Sequence, residues 1–512
     1  MVTINAPLNR VEGDLEVSAE ITDGVVSDAW CSGTMYRGIE KILVGRGPMD
    51  GLVITPRICG ICSTSHLTAA AKALDCITGA VPPPDAVRMR NALLMTEHIQ
   101  SDLRHTFLTF TGDFTNPAHS GTDRYTEAVR RYEPMKGDTV LEVLRETSKL
   151  LEIIAIIGGQ WPHSSFMVPG GIVSAPSVRS RLQCKMILRH FRGWYERRIL
   201  GCSIERIQEL ESLAGLGALL DDCALQPESD LSFFISYARS LGLHKIGRGH
   251  GSFLCYGALE LPQGTAIKGA KEGPFLVPAG FAQGGQNSQS VGFDQANVAE
   301  HVAHSWYEDY RGGLHPAAGE TRPYATGYEA KKYSWAKAPR YDGFPAETGP
   351  LAEMVMAGRP LFKDLLEKQG PSAFARQLAR LLRPAWLIPT LEAWLEEVTG
   401  EEGYYQSPEG IQDGEGFGLT QASRGALGHW VRIRNGAIDH YQIISPTGWN
   451  ASPRDSAGIR GPIEEALIGT PVRDPENPVE LGFVVRSFDV CLVCTVHALH
   501  RGGRTTLRMT RA

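Results

Sequence analysis

The sequence predicts an α+β chain, predominantly α. A central bundle of long helices is expected, with small mixed β regions formed by the N- and C-terminal segments. Three observations predict this. Apolar residues recur at helical spacing through the middle of the chain, and apolar–polar alternation around Asp-Gly and Asn-Gly turns occurs near its ends. A two-cysteine motif also stands at each end, "RICGICSTSH" at 57–66 and "DVCLVCTVH" at 489–497. If both motifs serve one purpose, the ends must meet.

Taken in order, "LEVSAEITDGVVSDAW" from Leu15 alternates about Asp23-Gly24, the signature of two antiparallel strands. Pro82 to Pro84 close the next segment. Helical patterns follow at 85–110 and at 140–157, where Leu141, Leu144, Leu151, Ile154 and Ile157 fall on or near one face and Gly158-Gly159 is the stop. Residues 178–213 read as one long helix, kinked at Gly193 and Gly201. From Gly247 to about Gly349 the chain is rich in Gly, Pro and aromatics, with short strand candidates such as "GSFLCYGAL". Helix returns at 372–399, and "GHWVRIRNGAIDHYQIISP" carries an Asn435-Gly436 hairpin signal. No linker divides the chain, so residues 1–512 are expected to form a single domain.

At 512 residues the chain could hold two to four average domains. Its net charge of -6 gives no electrostatic reason to expect nucleic acid or an anionic membrane as partner. The first fifteen residues lack the basic start and apolar core of a signal peptide, which points to the cytoplasm unless a partner carries a folded complex elsewhere. No apolar run reaches the ~18 residues of a membrane span. The nearest, "LLEIIAIIGG", contains Glu152 and reads as a buried helix end. Ten cysteines in so long a chain are too few for a disulfide scaffold and fit reduced thiols or a metal site.

A C-x-x-C turns two sulfurs toward one ion. One pair could be a redox dithiol, whereas two pairs supply four thiolates, a complete tetrahedral shell. Motif type alone favours structural zinc, but zinc ribbons place their pairs ~15 to 20 residues apart. Here the pairs lie at opposite ends of the chain, so the whole fold must assemble the site. Four soft thiolates suit zinc, iron–sulfur and nickel alike.

These pairs occur in order with "LNRVEGDLEV" at Leu8, "YRGIEKIL" at Tyr36, "GGQWPHSSFMVPGG" at Gly158, "SRGALGHW" at Ser423 and "WNASPRD" at Trp449. Together they resemble the large subunit of [NiFe]-hydrogenases, from residue 8 to the C-terminus. "TEHIQSDLRHTFLTF" at Thr96 is most similar to the uptake and cytoplasmic branch. The resemblance implies a catalytic subunit that cleaves H2 reversibly and heterolytically into protons and electrons, working in the uptake direction. It implies nickel held by four thiolates, with Cys59 and Cys491 terminal. Cys62 and Cys494 would bridge to an iron carrying one carbon monoxide and two cyanides.

Within that resemblance, Cys491 is the proton acceptor and Glu12, in "RVEGD", the first relay after it. Arg424 places a guanidinium above the metals, where it can polarise H2 and hydrogen-bond a cyanide. Thr447 aligns with a hydroxyl that donates to a cyanide, and Asp489 pairs with the arginine region. Without the motif, Glu12 would be read as a solvated surface charge and Arg424 and Asp489 as structural. Glu40 and His497 match the ligands of a buried magnesium ion, completed by the backbone carbonyl at about Ile443. His66 is expected to hydrogen-bond behind the metals rather than to ligate them.

The chain departs from the family pattern at Val490, where proline is usual and whose N–H is thereby freed. It departs also at Asp14, where histidine is commoner, and in "QASRG" for Glu-Ala-Pro-Arg-Gly. Residues 498–512 resemble the peptide that a maturation protease removes, directly after His497, once nickel-insertion factors have acted. The remaining cysteines, at 31, 76, 184, 202, 223 and 255, stand singly, without cluster spacing. The resemblance therefore implies a separate iron–sulfur small subunit and a dimer of such heterodimers. Three alternatives stand beside it: a slow H2-sensing subunit, which typically lacks the C-terminal tail; a quinone-reducing complex-I-type subunit, which lacks the four cysteines; and a non-catalytic zinc-organised protein.

Overall fold

The computed structural model describes residues 2–222, 229–262, 274–284, 289–324, 331–401 and 403–492. Cys223, Cys494, His497 and the tail 498–512 lie outside them. The chain is a mixed α/β molecule, 45% helix and 20% strand.

The N-terminal alternation forms an antiparallel sheet of β1 (Val2–Leu8), β2 (Leu15–Thr22) and β3 (Val25–Gly33). Leu15, Val17, Ala19 and Ile21 alternate into the core, as a period of two requires. Asp23 and Gly24 both take positive φ, which gives the right-twisted hairpin turn.

Helix α1 (Ser63–Thr78) begins directly after the first cysteine pair, with Cys62 at its N-cap, and stops at left-handed Gly79. Helix α2 (Pro84–Arg104) starts with proline at its first position, where no N–H is needed, and runs into a wider turn over His105–Phe110. Helix α3 (Asp138–Gly158) packs on α2. Its buried stripe is Val140, Val143, Thr147, Leu150, Ile154 and Ile157. Leu151, expected on that face, is buried, but Leu141 is half exposed, because at about 100° per residue it falls on the side opposite this stripe. "LLEIIAIIGG" is the buried end of this helix, and no described helix is long and apolar enough to cross a membrane.

The helix expected over 178–213 is shorter. Helix α4 (Val178–Trp194) continues as a wide turn to Leu200 and ends at Gly201, whose φ of 78° terminates rather than kinks it. The expected 372–399 helix is two: α5 (Ala373–Leu382) and α6 (Pro384–Glu397), divided where Pro384 restarts the turn. Helix α2 packs between α3 and α6.

Near the C-terminus, β4 (Gly414–Ala422), β5 (Gly425–Arg434) and β6 (Ala437–Ile444) form an antiparallel sheet, with Asn435-Gly436 as the expected left-handed turn. Strand β4 lies flat on α1 through Gly416 and Gly418. A Cβ at either would run into the carbonyl oxygen of Ala73 or Ala69. The glycines let helix and strand backbones touch, and so hold the first cysteine pair against the sheet that precedes the second.

The chain ends do meet. Helix α7 (Val479–Ser487) leads to Asp489 and Cys491. Glu12 N–H donates to the Val490 carbonyl at 3.4 Å, and Leu492 N–H donates to the Glu12 carbonyl at 2.6 Å. Residues 12 and 491 thus pair as a parallel bridge. Arg486 reinforces the junction with bonds to the Asn9 carbonyl and to Asp113.

Candidate metal centre

Cys59, Cys62 and Cys491 converge, all buried, with their sulfurs within 4.8 Å of one another. The Cys59 and Cys491 sulfurs are 3.5 Å apart. That is far beyond the ~2.05 Å of a disulfide. It matches the roughly 3.3–3.8 Å between two thiolates that share one ion at metal–sulfur distances near 2.3 Å. No disulfide joins the eight described cysteines.

The loop bearing Cys59 and Cys62 is gripped from two sides. The Arg37 guanidinium donates to the carbonyls of Ile58 and Arg57. Behind the loop, the Glu97 carboxylate accepts the Thr64 N–H at 2.7 Å and the Ser65 N–H and hydroxyl at 3.0 and 2.6 Å, capping α1 from a distant helix. Burial pushes the Glu97 carboxyl up to about 7, with these donors opposing. The Cys491 N–H donates to Thr447 Oγ1 at 2.8 Å. The threonine expected to donate therefore accepts from the backbone, and its own hydroxyl proton stays available.

Arg424 sits at the tight β4–β5 turn and gives its Nε to Asp489 Oδ1 at 2.8 Å. Burial works against its charge, yet Asp489 and then the thiols of Cys491, Cys59 and Cys62 raise its pKa further. Its Nη1 is buried and has no hydrogen-bond partner among the described residues. Such an orphan donor is costly unless something belongs beside it. Burial opposes the charge on Asp489 as well, but the Arg424 and Arg380 guanidinium groups hold its carboxyl below the usual range. Burial takes His105 down to about 3, so it stays neutral beside them.

Glu12 lines a cavity of about 200 Å³ together with Ile61, His105, Arg424, Asp489 and Val490. Partial burial and the nearby Cys59 raise its pKa, with Arg424 opposing. His66 is no ligand of the thiol cluster. Its Nδ1 meets His429 Nε2 at 3.1 Å, and His429 Nδ1 meets the Tyr441 hydroxyl at 2.9 Å.

Glu40 is buried apart from the thiols, accepting from Gln442 Nε2 at 2.6 Å, from Ile443 N–H at 2.9 Å and from Thr321. It faces a cavity of about 20 Å³ shared with Glu300, Lys337 and Ile443. That is room for an ion or a water.

The site could hold a thiophilic metal ion on its three described cysteines, near a guanidinium with one donor unspent. A family model described as Nickel-dependent hydrogenase matches residues 37–128 and 135–497. The chain belongs to the nickel-dependent hydrogenase family. It is 35% identical to the periplasmic [NiFeSe] hydrogenase large subunit of Desulfomicrobium baculatum, over 96% of this chain and 94% of that one. It is 28% identical to the hydrogenase-2 large chain of Escherichia coli (strain K12), over 98% of each. The solved Ni-Fe-Se hydrogenase of D. vulgaris Hildenborough in its reduced state superposes with a TM-score of 0.79 at 30% identity, covering 97% of this chain and 99% of that one. This hydrogenase large subunit is accordingly an oxidoreductase acting on hydrogen.

Sequence reasoning missed several residues that shape the centre. Glu97 had no local signal, since its partners lie on another helix. The arginines at 376, 380 and 383 carried one: i, i+4, i+7 spacing puts three charges on one face of an otherwise apolar helix.

Proposed function

We propose that this chain is the catalytic subunit that cleaves H2 heterolytically and reversibly, working toward uptake, and passes electrons to an iron–sulfur small subunit. The observation that carries this is the convergence of three buried thiols from opposite chain ends, close enough to Arg424 to raise its pKa, with the Nη1 of that arginine unspent among the described residues. Cys59, Cys62, Cys491 and Cys494 would hold nickel, with Cys62 and Cys494 shared with an iron bearing carbon monoxide and cyanide. When bound, that centre supplies the polarising, redox-active site for H2.

The protein's own part is positioning and proton movement. Arg424, fixed at Nε by Asp489, directs Nη1 to the substrate side. Cys491 Sγ accepts the proton, and the Glu12 carboxylate, beside Cys491 in the backbone pairing, carries it into the cavity. Thr447 keeps its hydroxyl proton for a cyanide. Glu40, the Ile443 carbonyl and His497 would hold magnesium; oxygen donors in a small buried cavity suit that hard cation. Maturation would cleave after His497, which intact mass of nickel-loaded protein tests.

Metal analysis with infrared spectroscopy is the direct experiment. Nickel and iron together, with bands from carbon monoxide and cyanide, are expected; zinc alone overturns the reading. For the relay, Glu12→Gln should retain nickel but lose exchange of D2 with solvent protons, and normal exchange would remove Glu12 from the path.

A further inference from the structure

Two loops near the thiols carry the Arg424–Asp489 pair: the β4–β5 turn with Arg424, and the segment after α7 with Asp489 and Cys491. Both rest on one face of α5. Arg376, Arg380 and Arg383 stand at i, i+4 and i+7, and the backbone stays helical through residue 383. They are only 3%, 1% and 1% exposed. Three guanidinium groups on one buried face are costly unless every fork is filled.

The Arg376 and Arg383 forks are filled, whereas Arg380 makes one bond and leaves its Nε without a hydrogen-bond partner among the described residues. Arg376 holds Glu347 through two bonds of 2.7 Å, gives Nη1 to the Gly247 carbonyl at 2.7 Å, and lies 3.8 Å over the Phe488 ring. Arg380 gives Nη1 to the Ser487 carbonyl at 3.2 Å and stands 3.6 Å from Asp489 Oδ2 and 3.8 Å from Asp102 Oδ1. Arg383 takes both oxygens of Asp102 at 2.8 Å and Glu353 at 2.7 Å, and its Nη2 also reaches the Ser423 carbonyl at 2.8 Å.

Two arginines one turn apart thus hold the residue before Arg424 and the residue two before Asp489, and Asp102 lies between them. We propose that Arg383 and Arg380 are positioning residues, which through Ser423, Ser487 and Asp489 fix the Arg424–Asp489 pair near the thiol cluster. This rests on the role assigned to Arg424 in H2 cleavage. The planar fork makes four bonds here, two to Asp102 and one each to Glu353 and the Ser423 carbonyl, whereas an ammonium has only three donors, splayed tetrahedrally.

Arg383→Lys tests it, because the charge facing Asp102 and Glu353 is kept while the fork is lost. In the nickel-loaded full chain with its partner, hydrogen exchange read by mass spectrometry should rise about tenfold in segments 422–427 and 487–491, while α1 and the N-terminal sheet exchange as before. Nickel content should hold, and kcat should fall about tenfold with KM for H2 unchanged. Asp102→Asn, which keeps the shape but removes the central charge, should loosen the same two segments, and decides by that readout if Arg383→Lys does not fold. Wild-type exchange in both segments, or a rise shared by the whole molecule, overturns the proposal. Should the wild-type protein turn over no H2, the hydrogenase reading falls while the exchange measurement still decides the positioning role.

Discussion

At Arg424 a buried permanent charge is supported by Asp489 and then by the neighbouring thiols, and the bond from its Nε to Asp489 fixes the guanidinium while Nη1 stays unpaired among the described residues. Lysine can replace the charge but not this division of labour within one plane. Arg424→Lys should therefore keep its nickel while H2 oxidation falls by about two to three orders of magnitude, the usual loss for a preorganised donor; dye-linked H2 oxidation alongside metal analysis checks it. Thr447 acts on the backbone instead. Thr447→Val leaves the Cys491 N–H unpaired in a buried position, at a cost of about 1–3 kcal/mol. The denaturation midpoint should drop accordingly, and a midpoint equal to wild type would show that the N–H has another acceptor. The convergence of Cys59, Cys62 and Cys491 and the pairing of Arg424 with Asp489 were legible because their motifs are local strings. Glu97 and His429 were not assigned, since their roles depend on partners far away in the chain.

Among the elements, the contact of β4 with α1 governs where the first cysteine pair sits. Gly418→Ala would press a methyl group into the Ala69 carbonyl, which backbone cannot evade. Overpacking of this kind costs about 1–3 kcal/mol. Because α1 begins at Cys62, nickel retention should fall with stability. Gly414→Ala meets only the Ile77 side chain at 3.5 Å and should leave both near wild type. Equal behaviour of the two variants in thermal melts and metal analysis would refute this account. Both hairpins were legible from Asp23-Gly24 and Asn435-Gly436, because a left-handed turn restricts residue choice locally. The two overlong helices were not. Helical periodicity continues across Gly201 and Arg383–Pro384, and only the φ at Gly201 and the restart at Pro384 divide them.

At the scale of the whole molecule, buried charge couples stability to pH. Glu464 joins the chain ends by accepting from Cys31 N–H at 3.0 Å and from the Tyr333 hydroxyl at 2.8 Å. Burial raises its carboxyl from 4.5 to about 7. The folded state then binds the proton more tightly than the unfolded chain, so this contribution is complete below pH 4.5 and is lost as pH rises through 7. The loss amounts to about 3 kcal/mol. Urea midpoints should fall between pH 5 and pH 8, and Glu464→Gln should flatten that fall; parallel profiles for the two proteins would contradict it.

By itself the sequence determined the alternating strands at both ends, the two cysteine pairs and the family, since each is written in short local strings. Only the tertiary structure decided that Cys491 comes within 3.5 Å of Cys59, and that Thr447 serves the Cys491 backbone. It alone decided, too, that three buried arginines of α5 brace the loops around the thiols. Desolvation makes each buried charge demand a counter-charge, and the residue that supplies it is chosen by proximity in space, on which spacing along the chain is silent.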